Sequence, residues 1–388
     1  MMNILFFIFC LVTTHISYYV DGIRVTSKED AKFEIKANPI TNSPIKTIHT
    51  RFGDIVDCVD IYKQPAFNHP LLKNHKLQLK PNFEIKKTTV DSLQIKSVFG
   101  LDDEENCPEG TVPIQRTIKD NFNEEKLSLN PHILVKNIPG VHLAEVSLNG
   151  HFGPYHQVSG TTSTYNPRIY KKNQVSMSHI WVENGSGNGV NKISAGWHVD
   201  PGLYDDYNTH FYSTWTSDDF GKTGCYNLKC SGFFQIDKYN YLGAHISNIS
   251  TYGGPTYDIQ MSITRDPHTK NWWLTVGGKN IGYYPAKLFS NLDSASIVGW
   301  GGRTRANVGD TSPEMGSGHF PDGKSSHACY FRSATIEDDS GDIYGPKSNQ
   351  IVSYSDATNC YDVHFFGHQG GDAGIVLQFG GPGGSCGT

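Results

Sequence analysis

Charged residues are scarce in this sequence, and it has no long apolar run beyond one short stretch near its start. Asp, Glu, Lys and Arg make up 18% of the 388 residues, and the formal net charge is −5. This balance provides no basic excess for nucleic acid or an anionic membrane. The apolar stretch, residues 4–12, is shorter than the roughly 18 residues that a membrane helix needs. We therefore expect neither nucleic acid nor a membrane as a partner.

Residues 4–12 have the composition of the core of a secretory signal. Ile, Leu, Phe and Val dominate the stretch, and polar sequence follows at once. We expect cleavage between Ser17 and Gly22 and secretion of the remaining chain. The alternative is a buried N-terminal strand.

Glycine is nearly missing from the first third of the chain and frequent afterwards. Only four of the 40 glycines precede residue 139. The first part is rich in lysine, whereas the second is rich in glycine, tyrosine and tryptophan. This shift predicts three parts: a signal peptide at 1–22, a mixed N-terminal region at 23–139 and a second domain at 140–388.

Short alternating runs dominate residues 140–388. Val175, Met177, His179 and Trp181, for example, share one face of an expected strand. The predicted strands, separated by Gly, Asn, Asp and Pro turns, are Val158–Thr164, Val175–Val182, Ile193–Val199, Thr209–Thr216, Gly232–Gln235, Asp258–Thr264, Asn271–Val276, Ser296–Trp300, Ala328–Ile336 and Ile375–Gln378. We predict an all-β domain, with two antiparallel sheets packed face to face as a sandwich.

The sequence offers little for a metal or a cofactor. It has neither an H-E-x-x-H motif nor paired C-x-x-C motifs. His364 and His368 have the spacing of a helical ligand pair, but Gly367 and the surrounding strand pattern argue against a helix. The glycine clusters lack the Lys-Ser/Thr of a phosphate-binding loop. We expect no metal and no cofactor.

Two short segments carry a resemblance to a known family. Residues 193–197 read I-S-A-G-W and residues 300–303 read W-G-G-R. They resemble the two active-site segments of the neprosin family, secreted plant glutamic peptidases that cut after proline, where these segments read I-E-A-G-W and W-G-G-E. The runs T-G-C-Y-N at 223–227 and M-G-S-G-H-F at 315–320 also match the family.

The resemblance extends upstream and has structural implications. Val56–Phe67 and Cys107–Ile114 look like the family's activation peptide, so residues 23–139 are identified as a pro-domain. The resemblance implies a β-sandwich whose cleft crosses one sheet, and it implies an extracellular plant protein of the apoplast or cell wall. In active relatives the pro-segment is thought to block the cleft until acid triggers self-removal.

The positions of the family's two catalytic glutamates are occupied by Ser194 and Arg303. A glutamic peptidase needs one ionised carboxylate as general base and one protonated carboxyl group as acid. A serine hydroxyl cannot act as that base, and arginine keeps its proton because its pKa lies above about 12. We expect no glutamic-peptidase activity. Without it the pro-domain cannot remove itself and stays attached as a partner of the cleft, unless another protease cuts it.

Other residues could supply chemistry in place of the lost pair. Glu183 and Glu314 are candidate displaced carboxylates, which would leave an active acid prolyl endopeptidase. Ser194 as a nucleophile would need a base such as His198 or His319. His198 lies about 13 Å from Ser194 along the same predicted strand, too far for a hydrogen bond.

Three functions remain open at this point. The first is a peptide-binding decoy or regulator whose cleft holds a proline-rich peptide or protein, since tryptophan and tyrosine rings stack well on proline. The second is the displaced-carboxylate peptidase. The third is a structural or carbohydrate-binding sandwich.

Cysteines and sequons fit a secreted protein. Removing Cys10 with the signal leaves seven cysteines. Their connectivity is open, and in an oxidising compartment we favour the pairs Cys58 with Cys107, Cys225 with Cys230, and Cys360 with Cys386. Cys329 is left over as a buried thiol. Asn184 and Asn248 are candidate N-glycosylation sites.

Overall fold

A computed structural model describes residues 43–84, 99–101, 105–116, 131–135 and 138–387. The expected signal peptide at 1–22 lies outside these residues. Antiparallel strands are the dominant regular structure of the described residues, which confirms the predicted all-β class. The described helices are a single α-turn, α1 (Pro201–Tyr204), and short 3-10 turns at Pro65–Asn68, Pro70–Leu72, Pro131–Leu134, Gly187–Gly189, Ala286–Leu288, Ser348–Gln350 and Gly371–Ala373.

The described strands are numbered in chain order. They are β1 (Lys46–His49), β2 (Ile55–Asp60), β3 (Thr111–Gln115), β4 (Val141–Leu148), β5 (Tyr155–Ser163), β6 (Val175–Asn184), β7 (Asn191–Val199), β8 (Thr209–Thr216), β9 (Cys225–Tyr226), β10 (Phe234–Gln235), β11 (Asp258–Arg265), β12 (Trp272–Val276), β13 (Lys279–Tyr284), β14 (Ile297–Arg305), β15 (Cys329–Asp338), β16 (Ile343–Tyr344), β17 (Ile351–Ser355), β18 (Asp362–His368) and β19 (Ile375–Gly380).

Two large sheets form the sandwich. One has seven strands in the order β17-β4-β14-β6-β7-β8-β9, and the other has nine, in the order β10-β13-β12-β11-β5-β15-β19-β18 with β16 beside β15. Tryptophans of the seven-stranded sheet fill the space between them. The indole N–H of Trp197 donates to the carbonyl of Ser163 at 3.0 Å, and that of Trp300 to the carbonyl of Ser159 at 2.9 Å. Buried indoles need such partners, so these bonds fix the distance between the sheets.

A small sheet, in the order β1-β2-β3, precedes the sandwich and packs on it. The Gln64 side chain pairs with the backbone of the edge strand β10: its Nε2 donates to the carbonyl of Gln235 at 3.1 Å, and its Oε1 accepts from the Gln235 N–H at 2.7 Å. The Phe99 ring stacks on Phe211 at 4.5 Å. The N-terminal region and the sandwich therefore share one apolar core.

Strands β7 and β14 are the neighbours of β6 on its two sides, and this arrangement positions the site. Ser194 on β7 lies opposite Trp181 of β6, and Arg303 on β14 lies opposite Met177. Trp300 of β14 points into the sandwich, so Gly301 and Arg303 alternate with it and face outward. The two segments that carry the family resemblance are thus brought onto one outer sheet face.

The structure adds strands that the alternation pattern did not predict. Besides the small sheet of β1, β2 and β3, these are β4, β9, β13, β16, β17 and β18, and β14 runs to Arg305 instead of ending at Trp300. His364 and His368 lie on β18 and not on a helix. Because β4 carries an acidic residue among its apolar ones, its strand pattern is weak.

Three disulfides close loops of this framework. They join Cys58 with Cys107, Cys225 with Cys230, and Cys360 with Cys386, the same pairs that the sequence favours. Cys329 is a free thiol and is fully buried. Burial raises the pKa of this thiol to about 12, which makes it unreactive.

Candidate functional site

A buried polar network lies on the outer face of the seven-stranded sheet. Its five members come from five neighbouring strands, and each is less than a tenth exposed. They are Glu145 (β4), Arg303 (β14), His179 (β6), Ser194 (β7) and Tyr212 (β8). Ser194 and Arg303 therefore converge on one site, together with residues that the sequence did not single out.

Glu145 neutralises Arg303. The guanidinium donates from Nε to Oε1 at 2.5 Å and from Nη2 to Oε2 at 3.1 Å, a two-point ion pair. Burial alone would raise the pKa of Glu145, but Arg303 and His179 reverse this and hold it far below its usual range. Glu145 is therefore an ionised carboxylate that only accepts hydrogen bonds.

His179 links this ion pair to Ser194. Its Nε2 lies 2.9 Å from Oε1 of Glu145, and its Nδ1 lies 3.0 Å from Oγ of Ser194. Burial lowers the pKa of His179 to about 4, although the bond to Glu145 opposes this. The imidazole is neutral near pH 7, with its proton on the nitrogen that faces the carboxylate. Nδ1 is left as an acceptor for the Ser194 hydroxyl.

Tyr212 completes the chain of hydrogen bonds. Its hydroxyl lies 3.1 Å from Oγ of Ser194. Burial raises the pKa of Tyr212, so the phenol keeps its proton and can donate it to the serine oxygen. The hydrogen bonds then point one way, from Tyr212 through Ser194 and His179 to Glu145.

Two glycines make room for this network. Gly301 lies between Glu145 and His179 in the sheet. A Cβ there would lie 2.4 Å from the carbonyl oxygen of Ala144 and 3.0 Å from Cγ of Glu145. Gly196 lies opposite His179 on the other side, and its Cβ would lie 1.9 Å from the carbonyl oxygen of Ser178. Without a side chain at Gly301, the Glu145 carboxylate can reach across β14 to the imidazole.

A second buried ion pair lies beside the network on the same face. Nζ of Lys192 lies 2.8 Å from Oε2 of Glu183, and it also lies 5.7 Å from the centre of the Trp181 ring. Burial lowers the pKa of Lys192, and Glu183 opposes this shift. Glu183, the candidate displaced carboxylate, is therefore paired with the Lys192 ammonium group.

Residues 131–135, the covering segment, lie over both cations. Nη1 of Arg303 donates to the carbonyls of Ile133 at 3.0 Å and Val135 at 3.4 Å, and Nζ of Lys192 donates to the carbonyl of Leu134 at 3.3 Å. The Ile133 and Leu134 side chains are fully buried. They pack in a separate apolar cluster with Val141, Val175, Met177, Tyr212, Phe220 and Tyr226. The outer sheet face that carries the network is thus covered by polypeptide of the same chain.

Other candidates from the sequence are not members of the network, although the His198 ring stacks on Tyr212 at 4.3 Å. Glu314 pairs with Arg168, with oxygen and nitrogen 3.4 Å apart. His198 binds the Tyr204 hydroxyl at 2.9 Å instead of Ser194. His319 is exposed and stacks on Tyr252. The base that faces Ser194 is therefore neither of the two histidines considered from the sequence.

Sequence reasoning missed Glu145 and His179 as site residues. The alternation that groups His179 with Trp181 predicts which sheet face His179 lies on, but it does not predict the neighbours of His179 on other strands.

Among the residues that the structure describes, no group of three or more His, Cys, Asp or Glu could hold a metal ion. The described part of the chain also has no helix that is long and apolar enough to cross a membrane.

The described part of the chain is an antiparallel β-sandwich, and residues 131–135 cover the outer face of its seven-stranded sheet. It is similar to scytalido-glutamic peptidase bound to a transition state analog inhibitor, with 10% identity and a TM-score of 0.35 over 61% of this chain and 97% of that one. It is also similar to SCP-B, a member of the eqolisin family in complex with the tripeptide Ala-Ile-His, with 11% identity and a TM-score of 0.32 over 62% and 97%.

The family itself follows from the sequence models. The neprosin model matches residues 172–382, and the neprosin activation peptide model matches residues 47–131. The chain belongs to the neprosin family, and its N-terminal region contains the family's activation peptide. The covering segment begins where the match to the activation peptide ends.

Proposed function

We propose that this chain is a secreted neprosin-family protein that has lost glutamic-peptidase activity and whose cleft holds extended peptide without cutting it. The observation that carries the proposal is the position of Arg303. It is neutralised by Glu145 and binds two backbone carbonyls of the covering segment. In place of a catalytic carboxyl group, the site has a guanidinium that donates hydrogen bonds to peptide carbonyls.

The remaining side chains cannot supply the lost acid pair. Glu145 stays ionised, so it cannot be the protonated partner that two-carboxylate chemistry requires. Glu183 is bound to Lys192. Losing one member of a catalytic unit costs roughly 10⁴–10⁶ in rate, and losing the second adds little. Cleavage by this mechanism should therefore be at background level.

The mode of peptide binding favours proline-rich ligands. Three successive carbonyls of the covering segment are bound by two cations. Proline keeps its carbonyl but has no N–H. A cleft that recognises carbonyls therefore accepts proline at positions where a sheet-like ladder would reject it. A proline-rich peptide or wall protein would compete with the covering segment, which makes the protein a decoy or regulator.

Secretion is supported by the chain itself. Three disulfides are typical of proteins that fold in an oxidising compartment. Residues 4–12 have the character of a secretory signal. The family resemblance supports the apoplast or cell wall as the location of the protein.

Purified protein, incubated at acid pH with a proline-containing peptide library, tests the loss of activity. We expect no cleavage above background, and we expect intact-mass measurement to show the pro-domain still attached. The double variant Ser194→Glu with Arg303→Glu should gain activity, whereas neither single variant should. Clear cleavage by the unaltered chain, abolished by Glu183→Gln or Glu314→Gln, would instead establish a peptidase with displaced carboxylates.

Peptide holding needs a separate experiment. A synthetic peptide with the sequence of residues 131–135, and proline-rich peptides of equal length, are titrated against the protein by calorimetry. Arg303→Met combined with Glu145→Met removes the carbonyl donor without leaving a lone buried charge. We expect at least about tenfold weaker binding in this double variant, a loss typical of one hydrogen bond to a charged group. Unchanged affinity would contradict the role given to Arg303.

A further inference from the structure

We propose that Ser194 is a nucleophile that can be acylated, with His179 as its base and Glu145 as the group that orients His179. The substrate class is an ester of an apolar carboxylic acid. This activity goes beyond the peptide-holding cleft, because it is a covalent step and needs neither of the lost glutamates.

The geometry is that of a nucleophile, a base and an orienting carboxylate in a row. Oγ of Ser194 lies 3.0 Å from Nδ1 of His179, whose other nitrogen lies 2.9 Å from Glu145. These distances are within the reach required of such a triad. The ionised carboxylate fixes the proton on Nε2, so the lone pair of Nδ1 faces the serine. In the serine proteases the roles of the two nitrogens are exchanged, but either nitrogen of imidazole can accept a proton.

The acyl transfer uses only Ser194, His179, Glu145, the ester and water. Oγ attacks the ester carbonyl carbon and forms a bond to it, while the hydroxyl proton moves to Nδ1 of His179. The bond from that carbon to the leaving alkoxide oxygen then breaks, and the proton on Nδ1 passes to this oxygen. An acyl-serine ester and a free alcohol result. Water repeats the sequence to release the acid. Glu145 stabilises the imidazolium that forms between the two proton transfers.

The surroundings of Ser194 select the acyl group. Tyr212, whose hydroxyl bonds the serine oxygen, belongs to the apolar cluster of the cleft together with Met177 and Val175. This cluster now buries the side chains of Ile133 and Leu134. An acyl chain of similar size would take their place. The Tyr212 phenol keeps its proton and is a donor for the oxygen that becomes negative during attack.

Access to Ser194 depends on the covering segment. Ser194 and Tyr212 are completely buried with the segment in place. Replacing both apolar anchors, Ile133→Ser with Leu134→Ser, removes the packing that holds the segment while the carbonyl contacts to the cations stay available. This uncovered variant is the background in which the serine can be probed.

An alkyl fluorophosphonate serves as the probe, because it traps an activated serine: the Oγ–P bond forms, the P–F bond breaks, and fluoride leaves. The full-length uncovered variant is incubated with the probe at pH 7.5, and labelled peptides are located by mass spectrometry. We expect a single label on Ser194. Adding His179→Gln should slow labelling by about 10²–10⁴-fold, the contribution of a general base. Ser178→Ala changes a buried serine on the opposite face of β6 and should leave the labelling rate unchanged.

Two results would overturn the proposal. One is no label on Ser194 in the uncovered variant while proteolysis at residues 131–135 shows that the segment has left. The other is labelling that does not depend on His179. Should the uncovered variant not fold, the unaltered chain is incubated with excess probe for days; slow labelling confined to Ser194 supports the proposal, and its absence rejects it. Neither failure affects the calorimetric test of peptide binding.

Discussion

Strands β4, β6, β7 and β14 are buried on both faces, but the two faces are stabilised by different physics. The inner face meets the second sheet with neutral side chains, as with Trp197 and Trp300, whose indoles bind backbone carbonyls. The outer face carries Glu145, Arg303 and His179 beneath the covering segment. The inner face depends on filled volume, whereas the outer face depends on balanced charge.

The difference explains how the outer face can carry buried charged side chains without loss of the fold. Substitutions on the inner face must fit between two sheets, so volume limits them. On the outer face, an arginine at position 303 is accommodated because Glu145 lies within reach across the sheet and Gly301 leaves space between them. The fold therefore tolerates new chemistry on the outer face as long as every buried charge has a partner.

Removing one charge from the outer face should have the largest effect on stability. Glu145→Gln leaves Arg303 buried without a counter-charge, and we expect it to lower the free energy of unfolding by about 3–5 kcal/mol. Val146→Ala, the next residue of β4 on the inner face, should cost about 2 kcal/mol for its lost methyl groups. Denaturant titrations at pH 7 measure both.

The double variant Glu145→Met with Arg303→Met is the control for charge. Because it removes both ions, it should recover most of the stability lost in Glu145→Gln. For Val146→Ala on the inner face, no second substitution of this kind restores the lost stability. A double variant as unstable as the single one would mean that the outer face, too, depends mainly on shape.

Acid should weaken the outer face and leave the inner face unaffected. The folded-state pKa of His179 is about 4, below the ordinary 6.5, because burial disfavours its cation; Arg303 and Lys192 add to this, while Glu145 opposes it. The unfolded chain therefore takes up the proton first as the pH falls. The stabilising contribution of neutral His179, complete above about pH 6.5, is lost between about pH 6.5 and 4, and amounts to about 3.5 kcal/mol at about 1.4 kcal/mol for each pKa unit.

Glu145 extends the acid sensitivity to lower pH. Its pKa is depressed in the folded state, so its contribution is present above about pH 4.5 and is lost as the pH falls further. Unfolding free energies at pH 7, 5.5 and 4 should fall steadily in the unaltered chain and less steeply in His179→Gln. His198→Gln is the matched variant on the same face. Burial also lowers the pKa of His198, so this variant should reduce the slope as well. An unchanged slope in His179→Gln would contradict the assignment of a neutral imidazole.

Sequence patterns predicted the inner face far better than the outer one. Alternation in β6, β7 and β8 gives the sandwich, because residues two apart must share a face. The resemblance directed attention to Ser194 and Arg303. Glu145, however, lies 158 residues from Arg303 and 34 from His179 in the sequence, and only the strand order brings them together. Register between distant strands leaves no local signal, so the partners of a predicted site residue were missed.

The covering segment should detach more readily than either sheet unfolds. Leu134→Ala removes a fully buried anchor of the outer face, and its cost of about 2 kcal/mol or more should raise the open fraction of residues 131–135 at least about thirtyfold. Hydrogen exchange followed by mass spectrometry measures this for the segment. Val146→Ala lowers global stability from the inner face and should leave exchange of the segment unchanged. Equal exchange in both variants would mean that the segment opens only when the sandwich unfolds.

The smallest expected effect on stability concerns Asn184 at the end of β6, where the strand becomes partly exposed to solvent. Nδ2 of Asn184 donates to the carbonyls of Asn291 and Ser294, each at 2.9 Å, and a glycan on this nitrogen would remove one donated hydrogen. Asn248 is exposed. We therefore expect protein from a secretory host to carry its glycan on Asn248. Intact mass should fall by one glycan in Asn248→Gln and stay the same, apart from the substitution, in Asn184→Gln, which instead loses about 1 kcal/mol of stability with its hydrogen bonds. A glycan mass lost from Asn184→Gln would show that the turn after β6 opens before the chain is fully folded.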